Sequence, residues 1–349
     1  MKARLLVSIV TFNSVADLPR CLDSLRRQTF REFLVAVWDN ASTDGTRRLL
    51  AERGGELADV ALSETNLGYG AGHNRLLARH ESECVLFLNP DAVLADDCLE
   101  RAVSALDAHP ECGSLSPKIH RLAEPGDDPA QPAAGEAARG EPRILDSTGI
   151  FWTRNQRHFD RGSGEEDRGQ SDRAEYVFGV TGAAAFFRRS CLDDIAFRGE
   201  VWDEDFFLYR EDADLAWRAA WRGWKCLYDP SVRAGHIRRV FPQDRRGAGR
   251  TANRHSVKNR FLLRIKNMPL ATWLRFLIPI TARDLAVLAY VPFLEPSSLP
   301  AFWDVLRLLP RLVVKRRSVL GSARVPRREL EDWFRRASRP LDADPAGGG

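Results

Sequence analysis

Over the first hundred positions, short apolar runs alternate with amphipathic stretches. Residues 5–10 are an apolar run of strand length, and residues 15–28 follow with Leu18, Leu22 and Leu25 on one helical face. Residues 33–38 make a second apolar strand, 43–53 a helix and 60–62 a short strand. Residues 72–80 are helical again and 84–88 form a further strand, with one more helix over 96–109. This β-α-β-α order predicts an α/β fold, a mostly parallel sheet flanked by helices. Such sheets bind ligands beyond the carboxyl ends of their strands, so the polar residues after each strand are the first candidates for chemistry.

The pattern then changes. Residues 121–143 are rich in Ala, Pro, Gly and Glu and predict a flexible insertion, and 160–173 has the same polar character. Residues 203–223 contain a helix that buries Leu215, Ala216, Ala219 and Ala220. From Leu270 to about Leu320 the chain is helical, apolar and rich in Arg and Trp, and the tail ending in three glycines is expected to be disordered. The division this suggests is a catalytic domain over 1–266, a helical C-terminal region over 267–338 and a tail over 339–349. Within the first, 1–118 is a nucleotide-binding half and 144–266 an acceptor-binding half.

Composition narrows the class. The 349 residues carry 52 Lys and Arg against 48 Asp and Glu, and a net charge of +4 gives no reason to expect nucleic acid as a partner. The six cysteines form no CxxC pair and have no histidine at zinc-finger spacing, so reduced thiols of a cytoplasmic protein are expected. The N-terminal apolar stretch is too short for a signal peptide, and no uninterrupted apolar run reaches the roughly 18 residues of a spanning helix.

Six segments carry candidate chemistry. Val7-Ser8-Ile9-Val10-Thr11-Phe12-Asn13 ends a strand in small polar groups able to meet a base or ribose, or simply to cap the next helix. Val37-Trp38-Asp39-Asn40 delivers an acid to a strand end, where it can accept from a nucleobase or a ribose hydroxyl. In Asn66-Leu67-Gly68-Tyr69-Gly70-Ala71-Gly72-His73-Asn74, alternate glycines before a helix would let backbone approach a phosphate; a ligand-free turn is the bland alternative. Asn89-Pro90-Asp91 follows an apolar strand and offers a carboxylate for Mg²⁺ or Mn²⁺, or a turn. Residues 202–215 thread Trp202, Phe206, Phe207 and Tyr209 among acids that include Glu211 and Asp212. A general base beside an aromatic sugar platform fits that pattern, although a helix N-terminus explains some of the acids. Ala234-Gly235-His236 supplies an imidazole that can ligate a metal.

In their order and content these segments, from Val7 to about Lys266, resemble glycosyltransferase family 2, and most closely its bacterial rhamnosyltransferase-like members. The resemblance implies a GT-A fold with a helical C-terminal extension and an inverting transfer from a nucleotide diphosphate sugar. It implies that Asp39 contacts the base, with Thr11 and Asn13 in the same pocket, and that Asn66, Gly68, Asn74 and Asn89 serve the donor. Asp91 and His236 would hold Mg²⁺ or Mn²⁺, Asp212 would be the general base, and Gly182, Trp202 and Glu211 would line the acceptor pocket. The family's DxD-type motif appears as Asn89-Pro90-Asp91, with Asn in place of the first acid. The resemblance suggests dTDP-L-rhamnose, or a UDP-sugar, as donor and a glycan or polyprenyl-linked acceptor. The C-terminal helices then fit peripheral contact with the cytoplasmic membrane face, or a cap or dimer interface. The competing classes are a nucleotide-sugar-binding module without catalysis and a nucleotidyltransferase. The second would need a Gly-rich loop with Lys or Arg after the first strand, where Thr11-Phe12-Asn13-Ser14 stands.

Overall fold

A computed structural model describes residues 3–122, 142–238 and 249–341. Most of the 121–143 insertion and of the C-terminal tail therefore lie outside the described residues. Strands β1 (Ala3–Thr11), β2 (Phe33–Asp39), β3 (Asp59–Leu62) and β4 (Ser82–Leu88) are parallel neighbours in the order β4-β1-β2-β3. Helices α1 (Leu18–Arg26), α2 (Thr46–Glu52) and α3 (Tyr69–Arg79) make the crossovers. Leu5, Leu6, Val7 and Ile9 are all fully buried, as a strand covered on both faces requires.

The chain continues through β5 (Ala92–Leu94), α4 (Cys98–Ala108), β6 (Cys112–Arg121), β7 (Leu145–Ser147), β8 (Ile150–Trp152) and β9 (His158–Asp160). Then come β10 (Glu175–Val177), β11 (Ala184–Arg188), α5 (Arg189–Ile195), α6 (Glu211–Trp221) and β12 (Lys225–His236). β11 inserts antiparallel between β4 and β6, and β12 lies parallel to β6, so the two halves share one mixed, mostly parallel sheet. β8 and β9 form a separate hairpin.

The C-terminal region contains α7 (Gly249–Asn267), α8 (Leu270–Arg275), α9 (Leu277–Leu294), α10 (Pro300–Gly321), α11 (Arg327–Asp332) and β13 (Arg339–Pro340). It is not a detachable appendage. One apolar core joins Trp152, Phe178 and Trp217 to Leu262, Phe276, Leu312 and Phe334. Lys315 of α10 reaches Asp203 at 2.6 Å and Asp205 at 3.0 Å, and Lys266 of α7 pairs with Asp203 and Asp214, all buried.

Two expectations are corrected. The polar stretch 160–173 is tied down, because Asp167 and Asp172 bond the buried Lys118 and Asp167 also bonds His120. The tail begins later than 339, because β13 pairs with β10. Helix α9 is long and apolar enough, by length and composition alone, to cross a membrane, with a mean hydropathy of 1.5 and only 11% of it buried. Arg283 and Asp284 interrupt its apolar run.

Candidate active site

The parallel strands end on one edge of the sheet, and the polar residues after them gather there. Thr11 closes β1 and donates to Asp39 Oδ1 at 3.0 Å from the end of β2. Asp39 Oδ2 accepts from the Ser42 amide at 3.0 Å and from Arg47 Nε at 2.9 Å, so this buried carboxylate is held by three donors. Arg47, partly exposed, is the group beside it that faces outward. Asn13 has a left-handed backbone, φ 53°, and its Oδ1 accepts from the amides of Thr43 and Asp44 at 2.8 and 3.3 Å. Asn13 therefore shapes the loop after β2.

The glycine-rich segment serves the protein's own packing. A Cβ on Gly68, at φ +91°, would stand 2.7 Å from Phe207; one on Gly70 would meet Trp202 and one on Gly72 would meet Val10. Asn66 accepts from the Gly68 amide at 2.9 Å. Asn74 brackets the Trp202 backbone, donating to its carbonyl at 2.8 Å and accepting from its amide at 2.9 Å. These residues fasten α3 to the segment 202–207, a packing role beside the expected approach to a phosphate. One expectation is corrected, that Trp202 offers a sugar platform. Its side chain is fully buried against Tyr69, His73 and Phe87, so it floors the site from beneath and offers no open face to a sugar.

β4 leads into Asn89, whose amide donates to the Ala183 carbonyl at 3.0 Å, and then to Asp91. β5 pairs Ala92 with His236 at the end of β12. Asp91 Oδ1 and His236 Nε2 consequently meet at 3.2 Å across 145 residues of sequence, and Oδ1 makes no good hydrogen bond. His236 Nδ1 bonds Asp146 Oδ2 at 2.8 Å. Burial disfavours the imidazolium, but bonds and charges from Asp146 and Asp91 outweigh it and raise His236 to about 10. Arg238 then bridges Asp146 and Asp160 at 2.7 Å each. Among the described residues no group of three His, Cys, Asp or Glu side chains converges as a closed metal site. An Asp and a backed histidine at a strand edge do suit a divalent ion, which would take the place of the His236 Nε2 proton and complete its shell with diphosphate oxygens and water.

Glu211 and Asp212 open α6. Asp212 Oδ2 accepts from the Gly182 amide at 3.2 Å and Oδ1 from the Ala213 amide at 2.7 Å. The Gly182 carbonyl accepts from the Tyr69 hydroxyl at 3.0 Å, so Gly182 connects Tyr69 to Asp212. Burial, then the charge of Asp160, raises Asp212 to about 6 despite these amide bonds. Burial and the adjacent Asp212 raise Glu211 to about 8, and Glu211 Oε2 has no hydrogen-bond partner. A carboxylate of this kind is poised to take a proton near neutrality.

The preceding loop is strained, since Phe207, Tyr209 and Arg210 all have left-handed backbones, φ 65–70°. Asn259 of α7 holds it: its buried amide lies 2.9, 2.8 and 2.8 Å from the carbonyls of Phe206, Leu208 and Tyr209. Sequence reasoning missed Tyr69, Asp146, Asp160, Arg238 and Asn259. Tyr69 lay inside a noted segment, but nothing in local spacing marks the other four, whose partners are 50 or more residues away in sequence.

The sequence model of "Glycosyl transferase family 2" matches residues 6–196. An N-acetylglucosaminyl-diphospho-decaprenol L-rhamnosyltransferase of Mycobacterium tuberculosis is 30% identical over 248 residues, 66% of this chain and 75% of that protein. Among solved structures, S. aureus TarS aligns over 95% of this chain and 54% of its own, with a TM-score of 0.53 and 19% identity. GalNAc-T7 with UDP, GalNAc and Mn²⁺ aligns over 76% of this chain and 48% of its own, with a TM-score of 0.56 and 14% identity. This chain thus spans about half the length of each of these two. At such identities the structures speak for the fold, and the fold is GT-A. The family match covers more than half of the sequence and removes the nucleotidyltransferase alternative: the chain belongs to glycosyltransferase family 2.

Proposed function

We propose that this protein transfers L-rhamnose from dTDP-L-rhamnose to a sugar carried on a polyprenyl diphosphate, with inversion at the anomeric carbon, in bacterial cell-surface polysaccharide synthesis. The observation that carries the reading is a base facing a leaving-group site. Asp212 is raised to about 6 and bonded by the Gly182 amide, the next residue's carbonyl accepts from Asn89 of the Asn89-Pro90-Asp91 turn, and Asp91 and Asp212 both act on Tyr69, which supports a base near the Asp91–His236 pair. The nature of donor and acceptor follows the M. tuberculosis relative, whose name states a rhamnosyl transfer to a decaprenyl-diphospho-sugar.

The chain's own groups do the following. Thr11, Asp39 and Arg47 receive the nucleoside. Asp212 takes the proton of the acceptor hydroxyl, whose oxygen attacks the anomeric carbon from the face opposite the nucleotide. The new glycosidic bond forms as the bond to the nucleotide diphosphate breaks, so one displacement inverts the centre. Glu211, mostly protonated near neutrality, can donate to an acceptor oxygen. Asp91 and His236 would hold Mg²⁺ or Mn²⁺, which would offset the charge of the departing diphosphate.

The acceptor class also fits the surface. α9 and α10 expose Ile278 (82%), Phe293 (85%) and Trp303 (69%), with Arg275 and Arg307 nearby in sequence. A lipid surface covers such a face, with basic side chains at the headgroups, and sets the enzyme on the inner leaflet beside a lipid-linked substrate. The test is a donor panel. With Mn²⁺ present, calorimetry should give tight binding of dTDP-L-rhamnose and weaker binding of UDP-sugars, with both lost in EDTA, and NMR of the product should give the inverted anomer. Retention of configuration, or binding of no nucleotide sugar, overturns the reading.

A further inference from the structure

Beside the loop that bears the proposed base, several guanidinium groups act on one another. Arg157 precedes β9, Arg210 ends the strained loop, Arg260 is on α7 and Arg283 on α9. Arg157, Arg210 and Arg260 all bear on His158, and Arg210 Nη1 lies 3.2 Å from its Nδ1. Burial and this positive ring keep that imidazole neutral. The charges of Arg210, Arg283 and Arg264 act on Arg260, and those of Arg157 and Arg264 act on Arg283. Among the described residues no carboxylate lies within ion-pair distance of Arg157, Arg260 or Arg283. Asp284 acts on Arg260 and Arg283, but it is bonded to Arg264 at 2.7 Å, and Asp160 is bonded to Arg238. Arg260 Nη1 and Arg264 Nε are buried with no hydrogen-bond partner. Burial and the surrounding arginines disfavour the Arg260 charge and push its guanidinium below its usual value. Half-buried like charges with unused donors are unfavourable until an anion completes them.

We propose that this cluster binds the diphosphate linking the acceptor sugar to its polyprenyl carrier; the proposal rests on the lipid-linked acceptor reading above. The order of groups carries it. At one end Arg210 directly precedes Glu211 and Asp212, and at the other Arg283 belongs to α9, whose outer face is apolar. A polyprenyl-diphospho-sugar presents sugar, diphosphate and hydrocarbon in that same sequence. Several planar guanidinium forks suit the many oxygens of a diphosphate. The donor's diphosphate belongs elsewhere, at Asp91 and His236, whose ion-pair chain runs through Asp146 and Arg238 to Asp160 and includes none of the four arginines.

The test uses farnesyl diphosphate, inorganic pyrophosphate, dTDP-L-rhamnose with Mn²⁺, and phosphatidylglycerol vesicles as probes of the whole chain. Wild type is compared with Arg260→Gln, Arg283→Gln and Arg260→Lys, each checked for an unchanged melting temperature. Farnesyl diphosphate and pyrophosphate should bind wild type, and each Gln variant should weaken both by roughly ten- to a hundredfold, the worth of a charge-assisted hydrogen bond. Donor affinity should not move, and Arg260→Lys should recover part of the loss. Undiminished diphosphate binding by the Gln variants overturns the proposal. So does an equal loss of donor affinity, or a loss confined to the vesicles. Should farnesyl diphosphate bind through Arg260 while no polyprenyl-linked sugar is glycosylated, the anion site stands and the acceptor reading falls.

Discussion

Asp212 occupies a position where a carboxylate is costly: half-buried, with Asp160 acting on it and Glu211 next to it. Its proton comes off near pH 6, so kcat/KM should rise with pH through that value and level off above it. The same shift has a stability consequence of opposite sign. A carboxyl whose folded-state value is raised binds its proton more tightly in the fold, so ionising it weakens the fold as pH climbs from the ordinary aspartate range to about 6. Asp212→Asn should therefore lower kcat by roughly a hundredfold or more yet raise the melting temperature at pH 7, and that gain should vanish near pH 4. A variant that is less stable at pH 7, or as active as wild type, contradicts the assignment. Asp146 makes a second case. Because it fixes the His236 ring, Asp146→Asn should weaken Mn²⁺ binding, read by electron paramagnetic resonance, by roughly ten- to a hundredfold. Unchanged Mn²⁺ affinity would show that the pair does not act on a metal. Asp91, Asp212 and His236 were legible in the sequence because each ends or begins a recognisable element. Asp146 was not, since the contact that gives it meaning is to a residue 90 positions later.

At the scale of elements, apolar periodicity located β1 to β4 and the helices between them, because burial on both faces of a parallel sheet leaves an unbroken apolar signature. It could not say what the glycine-rich segment packs against. Close approach of chain to chain and close approach of chain to ligand call for the same small residues, and the packing of Phe207 and Trp202 on α3 shows the first. The loop over 206–210 was invisible for the opposite reason, since left-handed Phe207, Tyr209 and Arg210 are not residue types that announce that backbone. The loop persists because α7 holds it. Asn259→Asp keeps the shape of the side chain and replaces its donor by an acceptor facing carbonyls. It should cut kcat by roughly a hundredfold, the usual cost of a slight misplacement, with donor affinity intact and faster amide hydrogen exchange at 206–210. Normal kcat with slow exchange would remove Asn259 from the account.

At the scale of the whole molecule, the C-terminal helices do two things that neither charge nor composition reveals. Their inner side clamps the loop before the base through Lys315, Lys266 and Asn259, and their outer side is apolar and open. The protein should float with phosphatidylglycerol-containing vesicles, and Ile278→Ser with Phe293→Ser should shift it to the soluble fraction without unfolding it, because both side chains face outward. Vesicle binding unaffected by the pair would assign the lipid contact to another surface. The central claim, transfer to a polyprenyl-linked sugar with Asp212 as base, is tested most directly by one transfer assay. dTDP-L-rhamnose, Mn²⁺ and a short-chain polyprenyl-diphospho-N-acetylglucosamine are incubated with wild type and with Asp212→Asn, and nucleotide release and glycosylated lipid are measured together. The account predicts equal amounts of both products from wild type, loss of both in EDTA, and near-complete loss in the variant with its donor affinity preserved. Full transfer by Asp212→Asn, or no glycosylated lipid from a wild type that binds both substrates, would contradict it.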